Sequence, residues 1–261
     1  MNAWFVALTE VSWSIVVPAF CAGLLVIATH VPLGMQVLQR GIIFIDLAIA
    51  QVAGLGAYLV IRLYGEEASV LWVQAGAVGL ALVAAWLLVA TERITARYQE
   101  PVIGIVFVLA ATAVVLLLAN DPHGGQHLAD LLAGQILWIG WAQIFYSALA
   151  TAVLLCAMFL FQGKRLGFYS LFALAITVSV QLAGVYLVFA TLIIPALATA
   201  KLKARRMRLW ATYLVAVVGY VLGLAGSALF DLPTGPLIVW SLALVGVATL
   251  LILRRKRHSQ F

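Results

Sequence analysis

The sequence predicts an all-α polytopic membrane protein with about seven full transmembrane helices plus a broken two-helix hairpin, eight or nine membrane helices in all. Three observations predict it. Hydrophobic residues make up 66% of the 261 positions and charged residues only 9%, with a mean hydropathy of +1.15, far outside the range of soluble domains. The apolar residues fall in runs long enough to cross ~30 Å of hydrocarbon at ~1.5 Å per helical residue. Lys and Arg collect in alternate connections between those runs, as cytoplasmic loops do under the positive-inside rule.

The first run, 12–33, is about as long as a span, and Met1 to Glu10 before it lack the basic stretch of a cleavable signal peptide, so it is expected to be a transmembrane helix. The second, 41–61, carries Asp46 and a series of small residues, Ala48, Ala50, Ala53, Gly54, Gly56 and Ala57, that suit close helix packing. Runs at 70–91 and 101–119 follow, then the longest polar loop, 120–130. The run at 131–161 exceeds one span, so a lateral or re-entrant helix is expected before its crossing. The stretch 168–200 holds 33 residues, too few for two full crossings and too many for one straight one. It reads as two short helices hinged near Gly184, an interruption tolerated only where it is buried in protein or lines a cavity. Runs at 209–229 and 236–253 complete the set, and with no linker rich in Pro, Ser or charge, residues 1–261 read as one transmembrane domain.

Fourteen of the fifteen Lys and Arg lie at Arg40, Arg93, Arg97, Lys164, Arg165, the cluster Lys201, Lys203, Arg205, Arg206 and Arg208, and the tail Arg254-Arg255-Lys256-Arg257; Arg62 is the exception. The intervening loops hold Glu10, Glu66, Glu67, Asp121, Asp130 and Asp231. This alternation places the amino terminus outside and the carboxyl terminus in the cytoplasm, and both ends of 168–200 on the cytoplasmic side. The net charge of +6 is thus a topology signal and not a nucleic-acid footprint. Cys21 and Cys156 form neither a CxxC nor a CxH pattern and read as packing residues.

Asp46 is the one acidic residue deep inside an apolar run, and a carboxylate at such depth costs a few kcal/mol or more unless a cation, a partner or water compensates it. It has two readings, a hydrogen bond to a neighbouring helix or a place on a substrate path. A hairpin turn centred near residue 38 would set His30 and Asp46 at the same height, where imidazole and carboxylate could share a divalent transition metal. Gln51, five residues on, points about 140° away from Asp46. His123 and His127 lie in the polar loop, where Gly124 and Gly125 disfavour a helix; a solvated loop and a site of transient metal capture are the two readings. The sequence holds no phosphate-binding glycine loop, no nucleophile–base pattern and no paired catalytic carboxylates, so the chain is not expected to be an enzyme, and any energy from ATP must enter through another subunit.

Three stretches taken together resemble the membrane permeases of ATP-binding-cassette importers for zinc, manganese or iron: Leu38-Gln39-Arg40-Gly41-Ile42-Ile43-Phe44-Ile45-Asp46-Leu47-Ala48-Ile49-Ala50-Gln51, the segment Leu182 to Ala200 containing Ile194-Pro195-Ala196, and Phe230-Asp231-Leu232-Pro233-Thr234-Gly235-Pro236. The resemblance covers almost the whole chain. It implies alternating access driven by a cytoplasmic ATPase dimer, an external metal-binding protein, a dimer of the permease, and a bacterial inner-membrane location. The divalent metal would be substrate, with no permanently bound cofactor, and the translocation path would include Asp46, Gln51 and Pro195. Well-known members carry a His four residues after the Asp, where this chain has Ala50; Gln51 resembles a branch reading Asp-Leu-Ala-x-Ala-Gln that also has a His near position 30. The cytoplasmic segment preceding residue 168 is shortened to Gln162-Gly163-Lys164-Arg165-Leu166-Gly167, so contact with the ATPase is expected through Lys164 and Arg165 together with Arg205 and Arg206. The alternative class is a proton- or ion-coupled secondary transporter that works without an ATPase.

Overall fold

A computed structural model describes residues 13–65, 68–95, 98–119, 132–134, 136–161 and 165–258. Among them are nine α-helices: α1 Trp13–Arg40, α2 Ile45–Tyr64, α3 Val70–Thr95, α4 Gln99–Leu118, α5 Trp141–Leu160, α6 Arg165–Ala183, α7 Val185–Ala198, α8 Arg205–Phe230 and α9 Thr234–His258, with a 3₁₀ turn at Ile136–Trp138. All but α7 are long and apolar enough to cross a membrane. The architecture is therefore the expected all-α polytopic one. The chain forms two compact units, each built from non-contiguous stretches: one from residues 1–39, 133–149 and 182–261, the other from 40–132 and 150–181.

Most of α1 lies in the first unit, and the helix continues to Arg40, seven residues past the end of the apolar run at 33. Pro32 lacks the N–H that would bond to the carbonyl four residues earlier, that of Ala28. The Tyr213 hydroxyl on α8 donates to that carbonyl instead, at 3.2 Å. The helix is further braced beyond the proline by the Gln36 side-chain amide, which donates to the Pro32 carbonyl at 3.3 Å. Gly34 lets α1 touch α7, because a methyl group added there would collide with the Leu192 carbonyl. Likewise α8 meets α9 through Gly219 and Gly223, against Leu242 and Ile238. In lipid, where apolar burial drives no association between helices, such close backbone approach supplies much of the packing energy.

The stretch 168–200 breaks at Gly184, whose φ of 77° is a left-handed conformation, as the sequence led us to expect. The two arms are unequal. The first is a 19-residue helix, close to a full span, and the second has 14 residues, about 21 Å. Gly134, at φ 67°, packs backbone to backbone on Ala183 and Gly184. Before the crossing at Trp141 the described residues include helical backbone at 132–133 and the 3₁₀ turn Ile136–Trp138; the rest of the segment in which a lateral helix was expected lies outside the described residues. At the turn from α8 to α9, Asp231 takes a left-handed conformation, and the Ser227 hydroxyl meets the Leu232 carbonyl at 2.7 Å and the Thr234 hydroxyl at 2.6 Å.

In the second unit, α2 is flanked by α3 and α4. Its small residues do what their size suggests. Gly56 and Gly76 bring α2 and α3 so close that a methyl group on either would strike the other's carbonyl. The helix α2 is buried on every face through its first half, from Ile45 to Gly54 apart from Leu47, and becomes exposed only at Arg62, Leu63 and Tyr64.

Candidate functional site

Asp46 stands in the first turn of α2, immediately after the turn Gly41–Phe44. The amino-terminal end of a helix favours a negative charge there. Its side chain is 1% exposed and its Oδ1 accepts no hydrogen bond among the described residues. Gln51 is 3% exposed, and its Oε1 is likewise unpartnered. Although the two side chains leave the helix in different directions, both are buried. An unsatisfied buried acceptor typically costs ~1–3 kcal/mol, more for a charged one.

His30 belongs to the other unit and is fully buried on α1. Its Nδ1 lies 2.9 Å from the Val26 carbonyl and 3.0 Å from the Thr29 hydroxyl, which itself donates to Val26 at 3.2 Å. With Nδ1–H donated to that carbonyl, the lone pair resides on Nε2, which has no partner among the described residues. A ring held through one nitrogen with the other free is how proteins prepare a histidine for a metal or a proton. The turn that follows α1 is Gly41–Phe44.

Pro195 is buried within α7, where it releases the carbonyl of Thr191 from the helix ladder. Around it the first unit carries a polar ladder that sequence reasoning did not single out. The Tyr220 hydroxyl pairs with Thr191 Oγ1 at 2.8 Å, Thr191 donates to Leu187 at 2.7 Å, and Thr199 pairs with Thr212 at 2.6 Å. The signal available was weak, since a threonine in a membrane helix usually bonds only to its own backbone. In the second unit a reciprocal amide pair, Gln74 with Gln181, joins α3 to α6 at 2.5 and 2.9 Å.

His123, His127 and Lys164 lie outside the described residues. Arg165 opens α6, and Arg205 and Arg206 open α8 with exposed side chains. Among the described residues no three His, Cys, Asp or Glu side chains gather as a ready-made metal cage.

The sequence matches the family model of the ABC 3 transport family over residues 12–166 and 164–253. The fold is similar to that of PsaBC from Streptococcus pneumoniae, solved in complex with Fab, with a TM-score of 0.72 and 19% identity over 89% of each chain. It is also similar to an inward-facing conformation of a protein assigned as a metal-chelate type ABC transporter, with a TM-score of 0.67 and 17% identity over 92% of this chain and 85% of that one. No curated protein matches the chain.

Proposed function

The chain belongs to the ABC 3 transport family, membrane permeases of ATP-binding-cassette transporters, and from that premise we propose that it forms the path of an importer for a divalent transition metal, zinc, manganese or iron. The observation that carries the substrate class is Asp46, a buried carboxylate with a free oxygen at the start of an enclosed helix. His30, with its free Nε2, Gln51 and Pro195 are the further path residues. The metal moves as substrate by alternating access, with no resident cofactor. The permease acts as a homodimer with a cytoplasmic ATPase dimer and receives metal from an external binding protein, in a bacterial inner membrane with its amino terminus outside and its carboxyl terminus in the cytoplasm. In that orientation α7, though short, completes the return of the hairpin to the cytoplasmic side.

Asp46→Ala should abolish metal-dependent growth and uptake while protein levels stay normal, because removing a charge from a spanning helix makes insertion easier. Asp46→Asn should fail almost as fully, since the amide keeps the shape and loses the charge. Full uptake by both variants at normal levels would remove Asp46 from the path. The permease reconstituted alone should be inert; uptake by the lone chain on an ion gradient would favour a secondary transporter instead.

A further inference from the structure

The four-residue turn between α1 and α2 is tied at both ends to other helices of its own unit. At its start the Arg40 guanidinium carbon lies 4.1 Å from the centroid of the Phe168 ring, in the first turn of α6. At its end the Phe44 amide donates to Glu100 Oε1 at 3.1 Å, in the first turn of α4. Phe168 is in turn locked in an aromatic cluster, edge-to-face with Tyr169 at 5.5 Å and tilted against Phe172 at 5.7 Å. The buried Tyr169 hydroxyl faces Glu92 of α3 and Gln99 of α4 without reaching hydrogen-bond geometry with either. Gln99 itself is fixed, its amide donating to the Leu88 carbonyl at 2.9 Å.

Arg40 thus gives the start of α6 a polar handle on the turn. Asp46 sits six residues after Arg40, in the first turn of the helix that the turn launches. We propose that Arg40 on the Phe168 ring is a coupling joint, a positioning contact through which displacement of the start of α6 is delivered to the helix that carries Asp46. This rests on the importer reading above, in which the short segment 162–167 just before Phe168 faces the ATPase. A cation on an aromatic face suits the task, because it slides across the ring without breaking, unlike a hydrogen bond of fixed direction. The Glu100 contact holds the other end of the turn, so the motion becomes a tilt of α2 about Phe44.

The test uses the full complex of permease and ATPase in proteoliposomes, with zinc, manganese and ferrous ion each as probe, and reads metal taken up per ATP hydrolysed. Phe168→Leu keeps an apolar side chain and removes the ring; Arg40→Gln keeps length and removes the charge; Arg40→Lys keeps a cation. Uptake per ATP should fall about tenfold in the first two, within the reach of one cation–π contact, with hydrolysis and complex assembly retained. Arg40→Lys should keep most of the coupling, and the Arg40→Gln/Phe168→Leu double variant should be no worse than either single one, as for two halves of one contact. An unchanged ratio in Phe168→Leu overturns the joint. So does a parallel loss of hydrolysis, uptake and assembled complex, which would make the contact a fold determinant only. A wild-type complex that takes up none of the three metals on ATP overturns the importer reading, and the joint with it.

Discussion

Pro32 would end a helix in water, yet α1 runs eight residues beyond it to Arg40. The carbonyl it orphans on Ala28 is met by a hydroxyl from α8, that of Tyr213. Tyr213→Phe should therefore lower stability by about 0.5–1.5 kcal/mol, the range for one hydrogen bond between membrane helices. Melting of the purified protein should show it as a loss of a few degrees, whereas Tyr186→Phe, at an exposed tyrosine of α7, should melt as the wild type does. Equal melting of both variants would mean that water serves Ala28 as well. This repair explains what was and was not legible at the site. Asp46 stood out in the sequence because a lone charge in an apolar run has few explanations. The reach of α1 did not, because its apolar run ends at 33, and the hydroxyl that meets the carbonyl orphaned by Pro32 lies 185 residues away from it in sequence.

The helices differ in how their charges meet their own dipoles. Arg40 closes α1, and the basic tail Arg254-Arg255-Lys256-Arg257 lies in the last two turns of α9, both at the carboxyl end where cations are favoured. Arg205, Arg206 and Arg208 open α8, the unfavourable end, and Ala204 before them supplies no side-chain cap. A cluster kept against its helix serves something outside the helix, either orientation in the membrane or an acidic partner. Reversing Arg205 and Arg206 to Glu should reduce co-purification of the ATPase, most clearly at moderate salt, and lower ATP-driven uptake without changing metal binding. A tag on the carboxyl terminus must first establish that orientation is intact. Normal retention of the ATPase by the correctly oriented variant would leave the cluster a topology signal alone. The hinge at Gly184 was legible because only one reading of a 33-residue run without charges fits a bilayer; the unequal arms were not, because 166–198 carries no charge and nothing in composition sets one arm longer.

For the whole molecule, seven spans were read from run length and charge alternation, and each has its helix, most of them a few residues longer than its apolar run. Run length reports the part of a helix that lies in hydrocarbon, and the ends that project beyond it are polar and carry no such mark. The division into two units built from interleaved stretches was invisible for a different reason. It depends on which helix touches which, and in lipid that choice is made by glycines such as Gly34, Gly56 and Gly219, whose partners no local pattern names.

The contact of Gly134 with Gly184 also has a place in time. The same small knot includes Gly235, since a methyl group there would meet the Ala133 carbonyl at 2.7 Å. Gly235 emerges from the ribosome about a hundred residues after Gly134, a delay of roughly 5–20 s at bacterial and eukaryotic synthesis rates. Through that interval the tip of the α6–α7 hairpin has only part of its final surroundings, and a backbone rich in left-handed glycine conformations has no side chains of its own to hold it. The hairpin is thus a late event in biogenesis, sealed by the arrival of α9. A nascent chain stopped before Thr234 should be cut by protease near Gly184, and one that extends through α9 should resist. Equal resistance of both would show that Gly134 closes the tip without help.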